Sequence, residues 1–237
     1  MFMLRLAKKL PKPIKSLCKK IGLDHIAHKV YDKSDVELAY QKEWGIEFAQ
    51  NQDKVREYWE RYRFFDEILG TCELNEESRV LDVGCGISTV LHFVPGKRIG
   101  VDPLGDQYQD IYSYPNDMRI VKASAEQIPF SENQFDVVFC TNVIDHVTSP
   151  GSALDEVERV LMPGGYFILT VETFASQKER DPAHPHCMTK EDVLSLVKDR
   201  FDVRFLGESP WIGLRQYVQG VAGTDNKEMI LILQKSV

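Results

Sequence analysis

The sequence predicts an α/β domain in three layers, with a doubly wound, mostly parallel sheet of seven strands, preceded by N-terminal helices. Three observations carry this expectation. After Glu77, short β-rich runs alternate with helical stretches, the pattern of a parallel sheet. The first such run ends in an acid and two glycines, a tight exit from strand to turn. Upstream, aromatic residues recur at helical spacing from Asp35 to Leu69 with no proline among them. The 237 residues are 43% hydrophobic and 27% charged, enough for one substantial core.

The chain opens on a basic arm. Within residues 1–30, Leu4, Leu6, Leu10, Ile14, Leu17 and Ile21 lie among Arg5 and seven lysines, opposed only by Asp24. That segment carries +7, which leaves −14 for the rest of a chain whose net charge is −7. Pro11 and Pro13 interrupt any long helix there. Such an arm suits an anionic membrane surface or an acidic partner, or it packs on the core with its lysines in water. Residues 1–24 are the candidate for peripheral membrane contact. The helical segment that follows carries Trp44, Phe48, Tyr58, Trp59, Tyr62 and Phe65 and predicts one or two helices. The expected division is an arm and helical cap over 1–55 and an α/β domain over 56–237.

Seven runs supply the strands: RVLDVG (79–84), KRIGVD (97–102), MRIVKA (118–123), FDVVFCT (135–141), YFILTVE (166–172), FDVRFLG (201–207) and EMILILQ (228–234). Ser152 to Leu161 and Thr189 to Val197 read as helices, the second opened by a capping box between Thr189 and Asp192. No helical pattern separates the last two runs, so the final strand is expected to return antiparallel.

Composition narrows the function classes. The five cysteines, odd in number and without a C-x-x-C pair, point to a reducing compartment. No run approaches the roughly 20 apolar residues of a membrane span, and Arg5, Lys8 and Lys9 break any secretory core. The expectation is a cytoplasmic protein, peripheral at the inner membrane surface if the arm binds there. The acidic core lacks interleaved basic and aromatic residues, so no nucleic-acid partner is expected. Oligomeric state is not legible.

The strongest chemical signal is Val80-Leu81-Asp82-Val83-Gly84-Cys85-Gly86, with Ser88 available to cap a following helix. Glycines there let a ligand approach the backbone. The second strand delivers Asp102, twenty residues beyond Asp82, placed to accept hydrogen bonds from both hydroxyls of a ribose. A nicotinamide enzyme would share Asp102, but its fingerprint wants glycine where Thr89 stands and has no use for Asp82. Asp82 fits a ligand bearing a cationic amine.

With these residues the chain resembles the Rossmann-like S-adenosylmethionine-dependent methyltransferases that act on small molecules and quinones, over about residues 56–237. The resemblance implies S-adenosyl-L-methionine as cofactor, its methionyl end on Asp82, Gly84, Cys85 and Gly86, and its ribose at Asp102 and Pro103. Ala123 to Phe130 looks like the family's adenine-side loop, with Ser124, Ala125 and Glu126 against the base; Ser124 departs from the acid or amide usual at that slot. Phe135 to Val138 looks like the opening of the fourth strand, whose end brings Thr141 as a further cofactor-binding residue. Leu161-Met162-Pro163-Gly164-Gly165 looks like the family's turn into the fifth.

Ligands of an open α/β sheet bind beyond the carboxyl ends of its strands, so the acceptor belongs in the later loops. Methyl transfer to a hydroxyl needs positioning and removal of a proton, which suits histidine. His146 with Asp145 is the first candidate base, and His184 or His186 the reserve. His184-Pro185-His186-Cys187 lacks the further ligands of a zinc site, so no metal is expected and the loop reads as a lid. Trp211 and Tyr217 either wall an apolar pocket or pack on the sheet. The expected acceptor is a small molecule with a hydroxyl, such as a lipid-linked envelope glycan intermediate or a quinone. Two rivals remain: a nicotinamide-dependent oxidoreductase, and a module that binds S-adenosylmethionine without catalysis.

Overall fold

A computed structural model describes residues 33–176, 185–224 and 226–237. The basic arm, Cys18, Pro182 and His184 therefore lie outside the described residues. Three helices come first: α1 (Lys33–Gln50), α2 (Gln52–Tyr62) and α3 (Phe65–Cys72). The sequence suggested one or two; the breaks fall at Asn51 and at Phe64, whose φ of 52° is left-handed and turns the chain sharply into α3. Their buried Trp44, Phe48, Tyr58, Trp59, Phe65 and Ile68 join Val80, Val137, Phe139, Ile168 and Ile232 of the sheet in one apolar cluster. Each such side chain contributes on the order of 1.5–3 kcal/mol, so the cap is held to the sheet chiefly by the hydrophobic effect.

The strands are β1 (Arg79–Val83), β2 (Lys97–Asp102), β3 (Met118–Lys122), β4 (Phe135–Thr141), β5 (Leu161–Thr173), β6 (Phe201–Pro210) and β7 (Lys227–Lys235), in the spatial order β3-β2-β1-β4-β5-β7-β6. The first five pair in parallel, and β7 runs antiparallel between β5 and β6, as expected of the last strand. On the face opposite the cap, α5 (Pro150–Val160) and α6 (Lys190–Val197) bury Leu154, Val157, Val193 and Val197 against Leu81, Val138, Phe167 and Leu231. Ser149 caps α5, and the Thr189–Asp192 capping box of α6 closes in both directions. No helix among the described residues is long and apolar enough to cross a membrane.

Several local expectations are corrected. No long helix follows β1, and Ser88 caps nothing; a single 3-10 turn, Val90–His92, is capped by Thr89. Pro95 and Gly96 follow at once, and Lys97 N–H already donates to Ser78 C=O, so the chain has no length left for a helix before β2. Leu161 to Gly165 is not a turn ahead of the fifth strand but its beginning, with a bulge opposite Phe135 and Val137 and with Gly164 at φ 77°. The short helices α4 (Gly105–Gln109) and α7 (Leu214–Val218) span too few residues to show a period.

The pleat then sorts the carboxyl edge. Val80, Val137, Phe139, Ile168 and Ile232 face the cap, and side chains alternate along each strand. Counting by twos, Asp82, Thr141, Thr170, Glu172 and Glu228 face the cap as well, as does Asp102 beyond Val101, which faces the other way. A band of polar groups thus crowns an apolar face beneath the helices.

Candidate functional site

The turn after β1 is tied to β2 by backbone, with Gly84 N–H and Cys85 N–H both donating to Val101 C=O at 2.8 and 3.1 Å. Gly84 has a φ of 71°, and a Cβ there would lie 2.3 Å from Val143 Cγ2. Nothing larger fits, because both the conformation and the space exclude a side chain. Gly86 N–H donates to Asp102 Oδ2 at 3.2 Å, and Leu104 N–H donates to Asp102 Oδ1 at 2.9 Å. Tyr114 Oη donates to Gly86 C=O at 2.9 Å. The acid of β2 and the glycines of β1 therefore form one interlocked unit.

Both acids are buried. Asp82 is 1% exposed; Thr89 Oγ1 donates to its Oδ2 at 2.6 Å, while Oδ1 has no hydrogen-bond partner. Loss of water pushes the Asp82 carboxyl up to about 7, against the pull of the Thr89 hydroxyl, with the nearby Asp102 adding to the rise. Burial likewise raises Asp102 to about 6, opposed by the N–H groups of Leu104 and Gly86. A buried carboxylate oxygen with no donor is a costly group that a cationic ligand would stabilise. The unpaired Asp82 oxygen is an acceptor that fits the methionyl ammonium of S-adenosylmethionine.

The cap supplies residues that sequence reasoning missed. Gln41 of α1 accepts at Oε1 from Ile87 N–H at 3.4 Å and donates through Nε2 to Glu37 at 2.8 Å, so the helix sits directly over the glycine turn. Arg63, at the end of α2, is 6% exposed and pairs through Nη2 with Glu228 Oε1 at 2.7 Å. Its guanidinium lies over the rings of Tyr58 and Trp59, 5.2 and 4.8 Å from their centroids. Tyr58 Oη donates to Ile212 C=O at 2.8 Å and lies 3.2 Å from Glu228 Oε2. An arginine within a helical stripe of aromatics was the signal available in the sequence.

The other predicted residues divide into two groups. Cys85 is buried, its thiol pushed well up by burial, and its Sγ occupies the space where Gly100 lacks a Cβ. Pro103 is exposed beside Asp102, Ser124 is half-buried and Ala125 is buried. Although burial pulls it upward, Glu126 is held below the usual carboxylate range by backbone N–H groups, accepting from Thr148 at 2.7 Å and Ser149 at 3.3 Å. It ties its loop to the start of α5. Thr141 ends β4, next to Asn142, whose φ is 57° and whose N–H donates to Thr170 C=O at 2.9 Å.

Past Thr141, Asp145 is 1% exposed and His146 Nε2 lies 3.7 Å from its Oδ1, an ion-pair separation too long for a hydrogen bond. The His146 ring is partly accessible. His186 N–H donates to Asp145 C=O at 3.3 Å and His186 Nε2 lies 2.9 Å from Val147 C=O, which requires the proton on Nε2. His186 thus braces the loop that carries Asp145 and His146. Among the described residues no group of three His, Cys, Asp or Glu side chains could hold a metal ion. Tyr217 packs its ring on Tyr58 and Tyr62, both centroids 5.5 Å away.

A family model described as a methyltransferase domain matches residues 81–169, from within β1 to within β5. The uncharacterized methyltransferase YcgJ of Bacillus subtilis is 31% identical over 137 residues, covering 49% of this chain and 54% of that protein. The tRNA U34 carboxymethyltransferase of Campylobacter curvus is 31% identical over 119 residues, covering 47% and 40%. Cycloartenol-C-24-methyltransferase 1 of Oryza sativa is 28% identical over 168 residues, covering 65% and 47%. The chain spans about half the length of these relatives. Two solved structures share the fold: a SAM-dependent methyltransferase of Methanosarcina mazei (TM-score 0.57, 20% identity, 72% of this chain and 97% of that one) and the [4+2]-cyclase SpnF (TM-score 0.58, 19%, 74% and 80%). Residues 81–169 thus match a methyltransferase domain, and the strand order, with the glycine turn between Asp82 and Asp102, gives the chain the Rossmann-like fold seen in S-adenosylmethionine-dependent methyltransferases.

Proposed function

We propose that the protein transfers a methyl group from S-adenosylmethionine to a hydroxyl of a small molecule, with His146 as general base. The observation that carries this reading is the accessible His146 ring backed by buried Asp145, in the loop after β4, at the same sheet edge as Asp82 and Asp102. The bound cofactor supplies a methyl group already activated on a sulfonium. The chain's own residues do the rest. Asp82 takes the ammonium, and Gly84, Cys85 and Gly86 present backbone to the methionyl end. Asp102, flanked by Pro103, takes the ribose hydroxyls, while Ser124, Ala125 and Glu126 line the adenine side and Thr141 closes the site toward the acceptor. Asp145, 3.7 Å away, backs the His146 ring as the acceptor hydroxyl gives up its proton. Replacing His146 by Asn is expected to lower turnover with the true acceptor by about 100-fold or more and to leave cofactor affinity within about twofold. An unchanged turnover number would remove His146 from the mechanism.

The relatives include a cycloartenol and a tRNA enzyme, so acceptor class is the next distinction. The −14 carried outside residues 1–30 disfavours a polyanionic acceptor and favours a small one. The basic arm favours an acceptor at the inner membrane surface, lipid-linked or quinone-like. Incubation with methyl-labelled cofactor and fractionated cell extract should place label in the organic or small-molecule fraction; label in RNA would contradict the reading. Deleting residues 1–24 is expected to abolish co-sedimentation with anionic vesicles at low salt, and retention of full binding would refute the membrane role. The cyclase neighbour shows that the fold also serves other chemistry, so transfer itself must be seen in that assay.

A further inference from the structure

The loop that carries His146 starts on a residue in an unusual conformation. Asn142 follows the last residue of β4 with a φ of 57°, a left-handed backbone that a Cβ penalises, asparagine less than most. Its N–H still donates to Thr170 C=O at 2.9 Å, so β4 stays tied to β5 up to the point where the chain turns. The turn delivers Val143 onto the glycine turn after β1. A Cβ at Gly84 would meet Val143 Cγ2, Cγ1 and Cβ at 2.3, 2.6 and 3.0 Å, so the space a side chain would need there belongs to Val143. Val143 C=O then accepts from His146 N–H at 2.8 Å, closing a tight turn that ends on the candidate base. The rest of the loop is held from elsewhere, by His186 at Asp145 and Val147 and by Glu126 at Thr148 and Ser149.

A sparsely populated backbone conformation persists where the surrounding packing over-determines it. Here that packing is Val143 against Gly84, which joins the loop of the candidate base to the glycine turn. We infer that Asn142 and Val143 are positioning residues: left-handed Asn142 sets Val143 on Gly84, and through that contact the His146 loop takes its place from the turn that meets the cofactor. The inference rests on the roles proposed above for Gly84 and His146 and adds a physical link between them. Gly84 thereby has a second duty, since its missing Cβ makes room for the loop as well as for the approach of a ligand to the backbone. A ligand that steadies the β1 turn also slows local opening of the loop, because opening withdraws Val143 from a contact that the ligand has made more rigid.

The test is hydrogen exchange on the full chain with and without saturating S-adenosylhomocysteine, whose binding is followed in parallel by calorimetry. The loop is read at the His146 and His186 amides, which donate to Val143 and Asp145 C=O; the Asn133 and Gln134 amides, ahead of β4 at the opposite edge of the sheet, are the reference. In the wild type the ligand is expected to slow exchange in the loop by about tenfold or more and in the reference by no more than about twofold. Val143→Ala should lose the loop's response while its affinity for S-adenosylhomocysteine stays within about threefold of wild type. Asn142→Gly, which adopts the left-handed conformation freely, should keep the response, and Asn142→Val, which does not, should lose it. An unresponsive loop in a wild type that binds the ligand overturns the link without any variant. So does equal slowing of loop and reference, which is general stabilisation by binding. A response retained in Val143→Ala, or lost in Asn142→Gly and kept in Asn142→Val, overturns it as well. Failure of the wild type to bind S-adenosylhomocysteine refutes the cofactor reading and the link with it.

Discussion

Asp102→Ala is expected to weaken S-adenosylhomocysteine binding by about 100-fold or more, because two charge-assisted hydrogen bonds to the ribose would be lost, each on the order of 1.5–3 kcal/mol. The same carboxylate accepts from Gly86 and Leu104 N–H, so the substitution also loosens the glycine turn. Melting followed by circular dichroism should show a net loss of about 1–3 kcal/mol, the cost of two unsatisfied N–H groups being partly offset by removal of a buried carboxyl. Affinity within about threefold of wild type would mean that Asp102 is only a structural tie between β1 and β2.

Asp82→Asn should separate stability from binding. Burial sets the Asp82 carboxyl at about 7 in the folded chain, against an ordinary value of 3.8. A folded value above the unfolded one means that the native state holds the proton more tightly. Its contribution is full below 3.8 and is lost as pH rises through 7, leaving a cost on the order of a few kcal/mol at pH 8. The neutral amide removes that cost. The ligand-free variant should therefore melt about 5 °C or more above wild type at pH 8, and by a smaller margin at pH 5, where folded Asp82 keeps its proton and only the unfolded carboxyl is ionised. His92, which burial lowers to about 4, is present in both proteins and cancels in the difference. Affinity for S-adenosylhomocysteine should fall by about tenfold or more in the same variant. An equal melting difference at both pH values would show that the Asp82 charge does not set the stability.

The strands themselves were readable because buried parallel strands write themselves as short β-branched runs, and β1 to β4 fall within a residue or two of those runs, whereas their spatial order comes from the structure. The antiparallel return of β7 was expected because no helical pattern separates the last two runs, although the short α7 lies between β6 and β7. The failures were local. A helix after β1 was anticipated from a generic turn, whereas the Pro95-Gly96 pair, visible in the sequence, leaves room only for a 3-10 turn. The bulge at the start of β5 is invisible to periodicity because Met162-Pro163-Gly164-Gly165 has the composition of a turn. At the site, Asp82 and Asp102 were legible since each ends a strand run. Arg63 and Glu228 were not, being 165 positions apart and brought together only when α2 packs across β7. Glu126 and His186 could be picked out as polar residues in informative loops, but their bonds to Thr148, Ser149, Asp145 and Val147 depend on loop conformation that no pattern encodes.

The most direct test of the central claim is titration of the wild-type chain with S-adenosylmethionine, S-adenosylhomocysteine and NAD under one set of conditions. The geometry of Asp82, Gly84, Gly86 and Asp102 predicts one site, micromolar affinity for the two adenosyl ligands and no binding of NAD. Binding of NAD alone, or of none of the three, would contradict it.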